Sequence, residues 1–131
     1  MRFLDSNVWL YALWSFTDPR HEAALKCTSA PGVVASTQVI NEVCSNLMRK
    51  AGVTNDDVEA LVRYFFTAHK VVPVSYRSML QACDLRRRYS LSYWDSQVVA
   101  CALLSGCTIL ESEDMQDGLV IEGALTNFQS I

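Results

Sequence analysis

The chain has 131 residues, half of them hydrophobic and 19% charged, with 14 acidic against 11 basic side chains and a formal net charge of −3. That balance excludes a disordered chain, and a longest strongly apolar run of only Val98 to Leu104 excludes a membrane-spanning helix. The opening Met1-Arg2-Phe3-Leu4-Asp5 lacks the apolar core of a signal peptide, so a single cytoplasmic domain over residues 1–131 is expected.

In chain order, Arg2 to Leu4 reads as a short strand, and Val8 to Phe16 as a helix. Asp18, as cap before Pro19, predicts a second helix to Thr28. Pro31-Gly32 breaks the chain before a strand at Val33 to Ala35. Ser36 or Thr37 then caps a helix to Lys50, with Val39, Ile40, Val43, Cys44, Leu47 and Met48 at helical spacing. Thr54, Asp56 and Asp57 open the next helix, to Ala68. A strand at Val71 to Val74, helices from Ser75 to Arg88 and from Ser92 to Leu104, and a strand at Thr108 to Leu110 follow. Leu119 to Ile121 is expected as the last strand. Short apolar strands alternating with helices predict an α/β fold, a short parallel sheet with helices on both faces.

Five cysteines with no close CxxC pair (Cys27, Cys44, Cys83, Cys101, Cys107) indicate reduced thiols rather than a zinc ribbon or a disulfide framework. The charge is unevenly spread. All the Lys and Arg fall in residues 1–88, whereas Tyr89 to Ile131 holds six acids and no basic residue. Acids that gather there in the fold have no cation near in sequence to neutralise them.

In parallel α/β sheets ligands bind beyond the carboxyl ends of the strands. Asp5 stands at such an end, as does the acidic stretch after Leu110, and Glu42 and Asp95 lie in the first turns of helices. Each acid also has a local reading: Asp5 as a helix cap, Glu42 as a solvated side chain, Asp95 as partner of Ser92 in a capping box, Glu113 and Asp114 as loop acids. Together, four carboxylates from distant segments suit a hard divalent cation such as Mg²⁺ or Mn²⁺ and metal-assisted attack on a phosphodiester. The two histidines, His21 and His69, fall outside this set, and no phosphate-binding GxxxxGK[ST] loop or GxSxG elbow is present.

Four stretches carry a resemblance. Met1-Arg2-Phe3-Leu4-Asp5-Ser6-Asn7-Val8, Gln38-Val39-Ile40-Asn41-Glu42-Val43, Leu91-Ser92-Tyr93-Trp94-Asp95-Ser96 and Ile109 to Gly118 are similar, in order, to the four motifs of PIN-domain nucleases, especially VapC-type toxins. The resemblance implies a Rossmann-like PIN fold and Mg²⁺- or Mn²⁺-dependent hydrolysis of RNA, with Asp5, Glu42, Asp95 and Asp114 as catalytic metal ligands. Ser6 and Ser112 match polar positions that support the carboxylates. Asp117 is a second acid beside Asp114, so either can supply the fourth ligand; the Ser-x-Asp pattern favours Asp114. A homodimer and a small cognate antitoxin are implied as partners.

Arg86, Arg87 and Arg88 read either as RNA-backbone contacts or as a solvated helix end. Trp9, Trp14, Tyr64, Phe65 and Phe66 read as core or dimer interface. Three other functions compete. A haloacid-dehalogenase-like phosphatase needs an acid where Asn7 stands. A non-catalytic binding module would be marked by loss of one of the four acids, and all are present. A PIN nuclease of RNA processing is disfavoured only by the short chain.

Overall fold

A computed structural model describes all 131 residues. The elements run β1 (Arg2–Leu4), α1 (Ser6–Leu13), α2 (His21–Ser29), β2 (Val33–Ser36), α3 (Thr37–Lys50), α4 (Asn55–Ala68), β3 (Lys70–Val72), α5 (Tyr76–Tyr89), α6 (Tyr93–Leu104), β4 (Ile109–Glu111), β5 (Val120–Ile121) and β6 (Leu125–Phe128). The strands form one sheet in the order β3-β2-β1-β4-β6-β5. All pairs are parallel except the edge hairpin of β5 and β6.

β1 lies at the centre because it is apolar on both faces: Phe3 and Leu4 are fully buried. It pairs Phe3 with Val34 of β2 and with Leu110 of β4. From β1 the chain steps outward to β2 and β3, then returns to place β4 on the other side of β1. That reversal of strand order opens a crevice at the carboxyl ends of β1 and β4, where such sheets bind ligands. Right-handed crossovers put α1 to α4 on one face and α5 with α6 on the other. In keeping with this, α1 packs on α2 and α3, α3 on α4, and α5 on α6.

The core is one cluster of 28 buried hydrophobic residues. α6 is buried from Ser96 to Ala102, which explains an apolar run without amphipathic spacing. Trp9 and Phe65 meet edge to face at 4.7 Å in the core, whereas Trp14, Tyr64 and Phe66 stay exposed. All five cysteines are free thiols, and only Cys83 is exposed. No helix is long and apolar enough to cross a membrane.

Two expectations need correction. α2 begins at His21, not at Asp18, because the Asp18 carboxylate accepts from the Arg20 N–H at 2.9 Å and pairs with the Arg20 guanidinium, holding residues 18–20 as a turn. And Leu119 to Ile121 does not end the sheet. Glu122 and Gly123 both adopt left-handed backbone (φ 53° and 65°), which reverses the chain so that Leu125–Phe128 returns as β6 between β4 and β5. The polar pair Thr126-Asn127 disguises this strand as a tail.

Since Leu125 is fully buried on β6 and Phe128 is 40% exposed, Leu125→Ala is expected to cost about 2–5 kcal/mol and Phe128→Ala well under half as much. Equilibrium denaturation of both variants measures the difference; equal small losses would show that β6 lies outside the core.

Candidate active site

Asp5 follows β1 directly and is 3% exposed. It caps α1, its Oδ1 accepting from the Ser6 N–H at 2.8 Å, while its Oδ2 accepts from the Ser112 hydroxyl at 2.7 Å. The cap reading and the site reading of this residue therefore coexist. Ser112 directly follows β4 and is itself buried; its Oγ also accepts from the Asp114 N–H at 3.2 Å. One hydroxyl thus links two carboxylate-bearing segments across the β1–β4 crevice.

Asp95 sits in the first turn of α6. Ser92 caps that helix by accepting from the Asp95 N–H at 3.1 Å, but the return bond that would complete a capping box is absent. Complete boxes occur at Thr54 with Asp57 and at Ser75 with Ser78. The Asp95 carboxylate instead joins Asp5 and Asp114: one oxygen from each lies within 4.8 Å of the others. Glu42, from α3, lines the same cavity of about 230 Å³, with Oε1 held by the Gln38 amide at 2.9 Å.

The electrostatics follow from this crowding. Burial pushes the Asp5 carboxyl up to about 6 against the lowering effect of its bonds to Ser112 and Ser6, and the charges of Glu42 and Asp114 add to the rise. Asp95 is raised by burial and by Asp114 and Glu42, with Ser92 opposing. Asp114 is solvent-exposed as a residue, yet partial burial of its carboxyl in the cavity, then Glu113 and Glu42, raises it too. No Lys or Arg pairs with any of the four acids.

Carboxylate oxygens on a common Mg²⁺ stand roughly 3–4 Å apart, so the three-acid set needs only small side-chain adjustments to share one ion. The donors are all oxygen, as a hard cation requires, with no thiol or imidazole among them. The Asn7 amide adds a further sign. It lies near enough to Asp114 to favour its charged form, but neither amide atom reaches a partner at hydrogen-bonding geometry.

The remaining predicted residues fall elsewhere. The Asp117 carboxylate lies outside the cavity and accepts from the Gln129 N–H at 2.9 Å. Ser6 contributes its backbone N–H rather than its hydroxyl. Arg88 is engaged by Asp84 and Glu122, and Arg87 lies 3.9 Å from Asp84. His21 bonds the Tyr11 carbonyl and His69 packs on Trp9, so neither histidine lines the site.

Two supports escape sequence reading. Asn127, 1% exposed on β6, donates to the carbonyls of Ser112, Met115 and Gln116 at 3.1–3.2 Å and so fixes the loop that carries Asp114. Arg20 stacks on Tyr11 at 4.1 Å and pairs with Glu113 at 3.2 Å, while the Tyr11 hydroxyl donates to Glu113 at 3.0 Å. That explains why Glu113 stays out of the acid cluster. The only signal for Asn127 is a polar residue at an inward position of Leu125–Phe128, visible once that segment is known to be a strand.

Without a cation in the cavity, the folded protein protonates Asp5 near 6 and the unfolded chain near 3.8, so between those values the folded state binds more protons. The contribution of Asp5 to stability is therefore present at low pH and lost as pH rises from about 4 to about 6. The full difference corresponds to roughly 3 kcal/mol. In EDTA at pH 7, Asp5→Asn is expected to melt higher than wild type and to show a flatter profile between pH 4 and 6. Thermal melts across that range check it; a variant that melts lower at pH 7 contradicts it. Asn127→Ala, which leaves the buried Ser112 carbonyl without its side-chain donor and takes one of two donors from the carbonyls of Met115 and Gln116, is expected to cost about 1–3 kcal/mol in the same assay.

The PIN domain model matches residues 2–116. No match was found among curated protein sequences. Among solved structures, the chain is similar to the Mycobacterium tuberculosis toxin VapC20, described as cleaving the sarcin–ricin loop, with a TM-score of 0.69 and 23% identity over 84% of this chain and 87% of that one. It is also similar to a toxin–antitoxin complex from Klebsiella pneumoniae, with a TM-score of 0.69 and 20% identity over 96% and 97%. Neisseria gonorrhoeae FitAcB gives 0.67 and 15% identity over 99% and 98%. At such identities the likeness speaks for a shared fold. The family model, spanning β1 to β4 and all four acids, fixes the membership: this chain belongs to the PIN domain family.

Proposed function

We propose that this protein is a Mg²⁺- or Mn²⁺-dependent ribonuclease that hydrolyses RNA phosphodiesters, and that it is the toxin of a VapBC-type toxin–antitoxin pair. The observation that carries the reading is the convergence of Asp5, Asp95 and Asp114 from three distant segments to within 4.8 Å, with no basic side chain among them. Membership of the PIN family and the fold shared with toxins support the choice of substrate and system.

In this reading Asp5, Asp95 and Asp114 hold the cation; Glu42, expected as a fourth ligand, lines the same cavity but lies outside the three acids whose oxygens converge, and stands at the rim. A bound hard cation supplies Lewis-acid stabilisation of charge on the phosphate and a water of lowered pKa. The chain supplies position. The Ser6 N–H and Ser112 hydroxyl fix both oxygens of Asp5, and Gln38 fixes Oε1 of Glu42. Glu42, whose Oε2 accepts no hydrogen bond within the protein, would take a proton from the attacking water. The water oxygen bonds to phosphorus as the P–O3′ bond breaks, and O3′ takes a proton from solvent water, giving 3′-hydroxyl and 5′-phosphate ends. The protein acts as a cytoplasmic homodimer, restrained by a small antitoxin whose basic side chain enters the acidic rim and replaces the metal.

Purified protein incubated with total RNA is expected to cut in Mg²⁺ or Mn²⁺ and not in EDTA, leaving 5′-phosphate ends. Asp95→Asn is expected to lower cutting by more than about 100-fold, while Asp117→Asn, which touches only the Gln129 N–H, keeps it. Undiminished cleavage in EDTA, or by Asp95→Asn, refutes the mechanism.

A further inference from the structure

Beside the acidic cavity runs a larger groove of about 710 Å³ between the polar side of α3 and the start of α6. The two are continuous, since Gln38, Glu42 and Trp94 line both. At the floor of the groove is Gln97, 2% exposed, whose Nε2 and Oε1 both lack any hydrogen-bond partner. A buried primary amide with neither its donors nor its acceptor paired is rare in a folded protein. Gln97 lies three and four residues from Trp94 and Tyr93, so all three share one face of α6. Those rings are 63% and 43% exposed and meet edge to face at 5.3 Å, which braces the indole and leaves a face open. Arg49 also lines the groove and pairs with no carboxylate; its guanidinium bonds only Asn46.

We infer that this groove is a nucleobase subsite, in which an unpaired base next to the scissile phosphate stacks on Trp94 and is read by the Gln97 amide. The inference rests on the ribonuclease reading above and names what sets its sequence preference. Single-stranded RNA is recognised by this combination of an aromatic platform and a polar group on the base edge. A glutamine amide offers a donor beside an acceptor and so matches a base edge with the complementary pair. The base reaches Gln97 by side-chain rotation in the lining, which the exposed Tyr93 and Trp94 rings permit. Arg49 then meets a backbone phosphate farther along the strand. A protein partner is the less favoured occupant, because a buried amide left unpaired at the base of the groove calls for a polar edge to pair with.

The test uses the full chain with Mn²⁺ and short single-stranded oligoribonucleotides that vary one base at a time on either side of a wild-type cut. Wild type is expected to prefer one base at one flanking position by about tenfold or more. Gln97→Glu keeps the shape but presents two acceptors. It is expected to lose that preference and gain one for guanine, whose Watson–Crick edge carries adjacent N1–H and N2–H donors. Trp94→Ala is expected to raise KM about tenfold with kcat little changed. If Gln97→Glu does not fold, Gln97→Met is expected to cut with the preference erased. Identical base preference in wild type and the Gln97 variants overturns the subsite. So does a change of oligomeric state in both Gln97→Glu and Trp94→Ala with preference intact, which assigns the groove to a second copy of the chain. If wild type cuts no RNA, the ribonuclease reading fails on its own, and anisotropy with the same oligonucleotides decides the subsite. Base-selective binding that Gln97→Glu abolishes supports it, and unselective or absent binding overturns it.

Discussion

Asp5 is a carboxylate held out of water at the carboxyl end of the central strand, with one backbone N–H and one serine hydroxyl as its only hydrogen-bond donors. Two such bonds do not offset the burial of a charge that also faces Glu42 and Asp114, and the carboxyl rises to about 6. An apolar sheet of this size would be more stable with a neutral residue there. The arrangement is consistent with a protein whose most stable form includes a cation that these acids bind, so that part of the folding free energy is deferred until binding.

The rest of the molecule can be understood as the means of keeping that crowded centre in place. The sheet order sends β1 and β4 to opposite sides of the topological reversal while leaving them paired, so Asp5 and Ser112 meet although 107 positions separate them. Asp114 sits on a loop, the least restrained of the carriers. The loop is held from three sides: by Asn127 on its carbonyls, by Gln129 on the carbonyls of Glu113 and Met115, and by the Arg20–Tyr11 pair on Glu113. A like-charge cluster pushes its members apart, and these bonds oppose that push in the metal-free protein.

The elements from Arg2 to Glu111 were legible because their signals are local: capping residues, apolar spacing and glycines at chain reversals. Ser36, Thr54, Ser75 and Ser92 each cap the helix that follows. The acids Asp5, Glu42, Asp95 and Asp114 could be nominated from motif order, although their shared cavity depends on tertiary structure. Less was visible at the C-terminal end. β6 is four residues long and carries two polar side chains, and its place between β4 and β5 depends on pairing that no local pattern encodes. Asn127 and Gln97 share this property: each is a polar residue in an apolar setting, whose meaning comes from partners, or missing partners, distant in sequence.

The central claim is that Asp5, Asp95 and Asp114 form one cation site, and the most direct test is Mn²⁺ binding itself. Calorimetric titration of metal-free wild type is expected to show saturable binding that Asp5→Asn, Asp95→Asn and Asp114→Asn each weaken severely, with a rise in melting temperature on adding Mn²⁺ that shrinks in step. Binding of unchanged affinity in all three variants, or no binding to wild type at millimolar Mn²⁺, would contradict the account.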